Sequence, residues 1–252
     1  MATVSVVLAT YNEEKNIRDC LESVKELADE IIIVDGTSHD KTVEIAKEYN
    51  AKVTITDNPP IFHINKQKAI DKATKDWILQ LDADERVTPE LVKEIKEKIS
   101  NTSIDGYWLP RKNWFLGRFL MKGGQYPDYT LRLYRRGKGK LPQKDVHEQA
   151  EVEGKTEYLQ NPLVHIADPE FRRYLLRYNR YTDLMARQLK GEKIRYNPIT
   201  AVQYTIIKPA WWFVWTYGRH KGFMDGWQGF VFSFFSAMRF AVSYWKYLYA
   251  KE

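Results

Sequence analysis

Two aspartates one residue apart, Asp82 and Asp84, close the apolar run Trp77-Ile78-Leu79-Gln80-Leu81. Carboxylates at that spacing, at the end of a buried strand, suit a hard divalent cation that keeps water and phosphate oxygens as its other ligands. In open α/β sheets ligands bind outside the carboxyl ends of the strands, so the placement carries a chemical reading. The plainer reading is a solvated turn, because Thr88-Pro89-Glu90 has the form of a helix start. The elements around the pair decide between them.

Strand and helix patterns alternate over the first hundred residues. The β-branched run at 4–9 stops at Thr10-Tyr11-Asn12-Glu13, and Ile17, Cys20, Leu21, Val24 and Leu27 then recur at helical spacing. Ile31-Ile32-Ile33-Val34 is continuous rather than alternating, as a parallel strand covered on both faces requires, and it ends in Asp35-Gly36-Thr37-Ser38. A helix over 40–49, a strand over 52–56, a helix over 65–74 and the strand over 77–81 follow. This order predicts an α/β fold, a mostly parallel, doubly wound central sheet with helices on both faces. The polar clusters at 10–13, 35–38 and 82–85 then project from one sheet edge. That convergence favours a site over a turn.

From Gly106 the rhythm changes. Strands over 107–111 and 130–135, joined by a Gly-rich aromatic loop, predict a small antiparallel addition that closes over the sheet, with short polar-tipped segments at 146–149 and 163–166. A helix spans 169–189. The last third holds five of the eight tryptophans, Trp211, Trp212, Trp215, Trp227 and Trp245. Its stretches 199–217 and 226–245 approach the roughly 20 apolar residues that a bilayer span needs. Lys208-Pro209 interrupts the first and Arg239 the second, and an arginine at mid-membrane costs at least about 2.5 kcal/mol. Helices lying in a membrane interface therefore fit better than spans, with packing on the protein itself or on a second copy as the alternative. The expected division is a catalytic-type domain at 1–190 and a helical extension at 191–252.

Composition narrows the partners. With 39 Lys+Arg against 33 Asp+Glu the chain carries +6, a balance that favours phosphorylated substrates, anionic membrane or nucleic acid. Nucleic acid is not expected, because the basic residues form no recognisable recognition element. The single cysteine, Cys20, excludes a disulfide framework and a Cys-rich zinc site. No G-x-G-x-x-G follows the first strand and no G-x-x-x-x-G-K-[ST] occurs, so dinucleotide and P-loop chemistry lose their support. The first strand is too short for a secretory signal, and a cytoplasmic location is the expectation.

In order and spacing, V-S-V-V-L-A-T-Y-N-E-E, I-I-I-V-D-G-T-S-H-D-K-T and W-I-L-Q-L-D-A-D-E resemble the inverting family 2 glycosyltransferases of the GT-A fold. The resemblance is strong over 3–100 and weaker to 190. The stretch R-H-K-G-F-M-D-G-W-Q-G-F is similar to the tail of the lipopolysaccharide core subgroup, which includes core β-glucosyltransferases. The resemblance implies transfer of a sugar from a nucleotide-diphosphate-sugar donor to a lipid-linked or lipopolysaccharide-type glycan acceptor. The aromatic, basic tail would hold such an enzyme peripherally on the inner face of the cell membrane, with a homo-oligomer contact as the alternative use of that tail. Two other readings stand beside it. One is a nucleotidylyltransferase, which lacks here a Gly-rich basic first loop. The other is a membrane-attached scaffold that has lost chemistry.

Carried onto this sequence, the resemblance implies that Thr10, Tyr11, Asn12 and Glu13 meet the base and ribose, as does Asp35. Gly36 departs from a frequent second aspartate. Lys66 and Lys68 are candidates for ribose or diphosphate. Asp84 is implied to bind Mn2+ or Mg2+ directly, with Asp82 on ribose or on the metal shell, Ala83 against the nucleotide, and His165 as a further ligand. A neutral imidazole suits Mn2+ better than Mg2+. Glu148 is the implied general base, with Asp145 and Asp128 behind it and His147 orienting it or touching the acceptor. Arg132, Arg135 and Gln125 are candidates for phosphate or an anionic acceptor.

Overall fold

The computed structural model of the chain describes residues 2–59, 61–100, 102–142, 149–194 and 197–249. They divide into two compact units, Met1–Arg111 with Asp128–His165, and Lys112–Pro127 with Ile166–Glu252.

The first unit follows the predicted alternation: β1 (Val4–Thr10), α1 (Ile17–Val24), β2 (Glu30–Asp35), α2 (Thr42–Glu48), β3 (Lys52–Ile55), α3 (His63–Asp71), β4 (Trp77–Leu81), β5 (Glu85–Val87) and α4 (Pro89–Ile99). β1 lies parallel between β2 and β4, Leu8 standing opposite both Ile33 and Leu81. Period-two alternation sends Val6 and Leu8 into one core and Val7 into the other, so both sheet faces are covered. α1 buries Ile17, Cys20, Leu21 and Val24, the stripe that its spacing predicts. At the start of α4 the Thr88 hydroxyl accepts from the Leu91 amide at 3.2 Å, with Pro89 in the first turn.

The antiparallel strands extend this sheet instead of closing over it. β6 (Gly106–Phe115), the short β7 (Arg118–Phe119), β8 (Asp128–Arg135) and β12 (Leu163–Asp168) join it, as does β11 (Thr156–Tyr158), which runs parallel to β6, while β9 (Gly139–Lys140) and β10 (Glu151–Val152) form a separate two-stranded antiparallel sheet. The sheet order is β3-β2-β1-β4-β8-β6-β12-β5. β8 pairs antiparallel with β4, Leu79 opposite Leu133, because burying Leu131 and Leu133 beside β4 covers an edge that would otherwise leave backbone groups unpaired. Since β8 runs back along β4, Arg132 comes level with Gln80.

The second unit is helical. α5 (Phe171–Gly191) belongs to it, so the division does not fall at residue 190 as expected. The reason is packing: Ala186 and Leu189 of α5 share a core with Tyr204, Tyr244 and Tyr247. A continuous helix follows in four pieces, α6 (Pro198–Val202), a π turn (Gln203–Ile207), α7 (Lys208–Phe213) and a second π turn (Val214–Arg219). The first π turn ends two residues before Pro209, where a regular α turn would set the proline ring against the preceding carbonyls. A short 3-10 turn (Gly222–Asp225) leads into α8 (Gly226–Tyr249).

The stretch R-H-K-G-F-M-D-G-W-Q-G-F builds a tight knot at this point. A Cβ on Gly229 would stand 2.0 Å from the Gly222 carbonyl oxygen, so only glycine allows the approach. The buried Asp225 carboxylate accepts from the Lys122 amide at 2.7 Å, and Gln228 Nε2 donates to the Leu116 carbonyl at 3.2 Å. The knot thus holds the loop after β6.

Candidate active site

The first two strand ends are tied to each other. Asp35 is fully buried; its Oδ1 accepts from the hydroxyls of Thr10 at 2.8 Å and Ser38 at 2.6 Å, and its Oδ2 accepts from the Ser38 amide at 2.7 Å. Asn12, at φ 55°, donates its amide to Ser38 Oγ and accepts from the His39 amide. The Glu13 amide donates to Thr42 Oγ1 at 2.7 Å, and its carboxylate accepts from Asn16 at the head of α1. Tyr11 remains exposed on this rim at 42%. At Gly36 the space that a side chain would take is filled by Asn58, whose Cβ would stand only 3.0 Å from a Cβ at that position.

At the end of β4 a charge network surrounds Asp82. Its Oδ1 meets Lys66 Nζ at 2.5 Å and its Oδ2 accepts from Arg132 Nη2 at 2.6 Å. Arg132 also donates to Glu85 Oε1 at 3.0 Å and, through Nη1, to Gln80 Oε1 at 2.6 Å. Glu85, fully buried, accepts from the Asp82 amide at 2.9 Å through its other oxygen and so fixes the turn. Arg111 stands 3.7 Å from Glu85 and makes two hydrogen bonds to Asp128 Oδ2. Burial opposes ionisation of Asp82, but Arg132 and Lys66 outweigh it and hold the carboxyl far below the usual range. Burial pulls the Lys66 ammonium down, and Asp82 offsets only part of that. Three cations and three carboxylates interlock here.

Asp84 points elsewhere. His165 on β12 sits opposite Glu85 in the ladder, which brings its Nε2 to 3.6 Å from Asp84 Oδ1. Donors held at 2.0–2.1 Å by an octahedral ion stand about 3 Å apart, so this pair fits two adjacent ligands of one divalent metal after a small closure. Among the described residues no cluster of three or more His, Cys, Asp or Glu side chains forms a complete cage. Two protein ligands with the rest left to water and phosphate is the arrangement a substrate-bridging Mg2+ or Mn2+ takes. Asp82 does not fit the same role, because both its oxygens are already engaged by cations.

Comparison with known proteins settles the family. The family model "Glycosyl transferase family 2" matches residues 5–151, more than half of the chain. The chain belongs to glycosyl transferase family 2. This glycosyltransferase is similar to the lipopolysaccharide core biosynthesis glycosyltransferase LpsC of Rhizobium meliloti, 28% identical over 94% of this chain and 91% of that one. It is also similar to an uncharacterized glycosyltransferase of Rickettsia typhi, 27% identical over 92% and 82%. Among solved structures, S. aureus TarS covers 88% of this chain at a TM-score of 0.51 and 19% identity, a likeness of fold; the glycosyltransferase spans 45% of that longer protein. The GT-A-type sheet expected from the sequence is thus the fold observed.

The glycosyltransferase brings Thr10, Asn12, Glu13 and Asp35 into one rim, and Lys66, Asp82, Glu85 and Arg132 into one network. Several expected direct contacts change character. Asp35 and Arg132 turn inward onto protein groups, and Arg135 lies at the opposite strand end, donating to the carbonyls of Thr102 and Ile104. Lys68 reaches Thr56 and Asp57 instead of the aspartate pair. Ala83 is buried, its carbonyl accepting from Arg86 Nη1 at 2.7 Å. Gln125 falls in the second unit, its amide donating to the Lys122 carbonyl. Asp145, His147 and Glu148 lie outside the described residues. The sequence reading gave Glu85 no role beyond its polar cluster and missed Gln80 and Arg111. One signal was available: Gln80 is a polar residue inside a fully buried strand, and such a group requires a partner.

Proposed function

We propose that the chain is an inverting, metal-dependent glycosyltransferase that moves a sugar from a nucleotide-diphosphate-sugar donor to a lipid-linked or lipopolysaccharide-type glycan. The acceptor would be presented at the cytoplasmic face of a membrane to which the enzyme attaches peripherally. One observation carries the metal-dependent reading: Asp84 and His165 meet 3.6 Å apart at the strand-end edge, beside an Asp82 whose charge is already balanced. Mn2+ or Mg2+ held by Asp84 and His165 would supply positive charge for the diphosphate that departs as the sugar bond breaks.

The chain's own residues take the remaining roles. Tyr11 offers an exposed ring to the nucleoside, on a rim that Asp35 fixes through Thr10 and Ser38. Lys66 and Arg132 keep Asp82 ionised and the turn rigid, and that turn carries Asp84 toward His165. Glu148 accepts the proton of the acceptor hydroxyl as the new bond forms on the face opposite the leaving group. The acceptor class draws on the likeness to LpsC, named for lipopolysaccharide core biosynthesis.

The test is a panel of nucleotide sugars with Mn2+, Mg2+ or chelator, read as nucleoside diphosphate release and as transfer to truncated lipopolysaccharide. One donor should be consumed only with the divalent ion, and the same donor should raise the melting temperature by mass action. If no nucleotide sugar is consumed or stabilises the fold, the proposal fails.

A further inference from the structure

Along the helix from residue 198 to 215, exposed residues come in adjacent pairs that begin at 198, 202, 206, 210 and 214. The pairs are apolar apart from Gln203. Ile206 is 61% exposed, Trp211 57% and Val214 65%, with Ile199, Val202 and Trp215 on the same strip. The other side of the helix buries Tyr204, Pro209 and Thr216.

A repeat of four does not stay on one face of an α-helix. At 3.6 residues per turn it drifts by about 40° each step, and four steps would carry it to the opposite side. Here the strip stays exposed from end to end, because the two π turns place more residues in a turn and take up that drift. The backbone irregularity and the apolar repeat therefore belong together: the π turns straighten the strip.

The charge around the strip is one-sided. No Asp or Glu occurs from residue 193 to 224, whereas Lys193, Arg195, Lys208, Arg219 and Lys221 do, with His220. Trp211 and Trp215 stack at 5.4 Å, and tryptophan favours the depth of lipid head groups. No helix among the described residues is long and apolar enough to cross a membrane. An apolar strip with basic ends and no carboxylate matches an anionic lipid surface better than it matches a second copy of itself, whose own basic ends would face it.

We propose that this strip is a bilayer-docking face, lying along the head-group region of a membrane that carries anionic lipid. The inference deepens the proposed function, on which it rests for its purpose but not for its test. The full chain is sedimented with vesicles of phosphatidylcholine alone or with phosphatidylglycerol added, alongside an Ile206→Glu/Val214→Glu variant and a Trp211→Phe/Trp215→Phe variant.

The wild type should bind the phosphatidylglycerol vesicles, and the double Glu variant should bind at least about tenfold less while keeping its circular dichroism and melting temperature. Quenching by brominated lipid should fall in the double Phe variant, whose face still binds. Equal vesicle binding by wild type and the Glu variant overturns the proposal. So does a dimer that the Glu substitutions split with vesicle binding unchanged, which would make the strip a subunit contact. Nucleoside diphosphate release from donor in solution is read in parallel; its failure with vesicle binding intact refutes the proposed function alone.

Discussion

Lys66 and Asp82 meet at 2.5 Å at the end of β4, and Arg132 takes the other carboxylate oxygen of Asp82 at 2.6 Å. The paired aspartates are therefore unequal: Asp82 is committed to two buried cations, and Asp84 is turned toward His165. Removing Asp82 leaves Lys66 and Arg132 buried without their shared partner. Asp82→Ala should cost about 3–5 kcal/mol in urea unfolding. Asp84→Asn should cost less than Asp82→Ala, because it keeps the side chain's size and leaves the Lys66–Asp82–Arg132 contacts in place. An unchanged denaturation midpoint in Asp82→Ala would remove the structural role assigned to it.

Glu30 gives a second, independent prediction. Burial pushes its carboxyl up, but hydrogen bonds from Lys52, Ser5 and Thr74 outweigh that and bring it from the ordinary 4.5 down to about 2. A folded value below the unfolded one means stability that is present above pH 4.5 and lost as the pH falls toward 2. Glu30→Gln should be less stable than wild type at neutral pH, and the gap should close across that acid range. A gap that persists unchanged to the acid end would show that Glu30 is not the group responsible.

The strand ends were legible because continuous apolar runs that stop at polar clusters define both the parallel sheet and the edge where those clusters gather. Asp82, Asp84, Thr10 and Asp35 could be named on that basis. What was not legible is cross-strand. Gln80 and Arg132 are separated by 52 residues and meet only because β8 runs antiparallel beside β4. Nothing local announces that pairing, so Arg132 looked like a free fork for phosphate. The same holds for Gly36, whose missing side chain is replaced in space by Asn58. The division between units was hidden for a related reason: α5 has an ordinary amphipathic pattern, and the pattern does not say which partner it covers.

Gly229 tests the knot in the second unit. A methyl group there would press on the Gly222 carbonyl at 2.0 Å, and backbone must move to admit it. Gly229→Ala should destabilise by about 1–3 kcal/mol, as overpacking does. Thermal unfolding reads this directly, and an unaltered melting temperature would mean that the approach is not held.

Glu148 is the proposed base, and its test separates chemistry from donor binding. Glu148→Gln should lower transfer by about 10²–10⁴-fold, the usual contribution of a positioned base. The thermal shift produced by donor should remain. Wild-type transfer by this variant would move the role to another carboxylate, with Asp145 and Asp128 next in line.

The central claim is that Asp84 holds the catalytic divalent ion. It is tested most directly by the rate of nucleoside diphosphate release from the productive donor at saturating Mn2+, wild type against Asp84→Asn. The variant, with its fold checked by circular dichroism, should lose about a hundredfold or more, the scale of removing one preorganised electrostatic stabiliser. A variant within about twofold of wild type would contradict the account, because no transition-state stabilisation would then depend on that carboxylate.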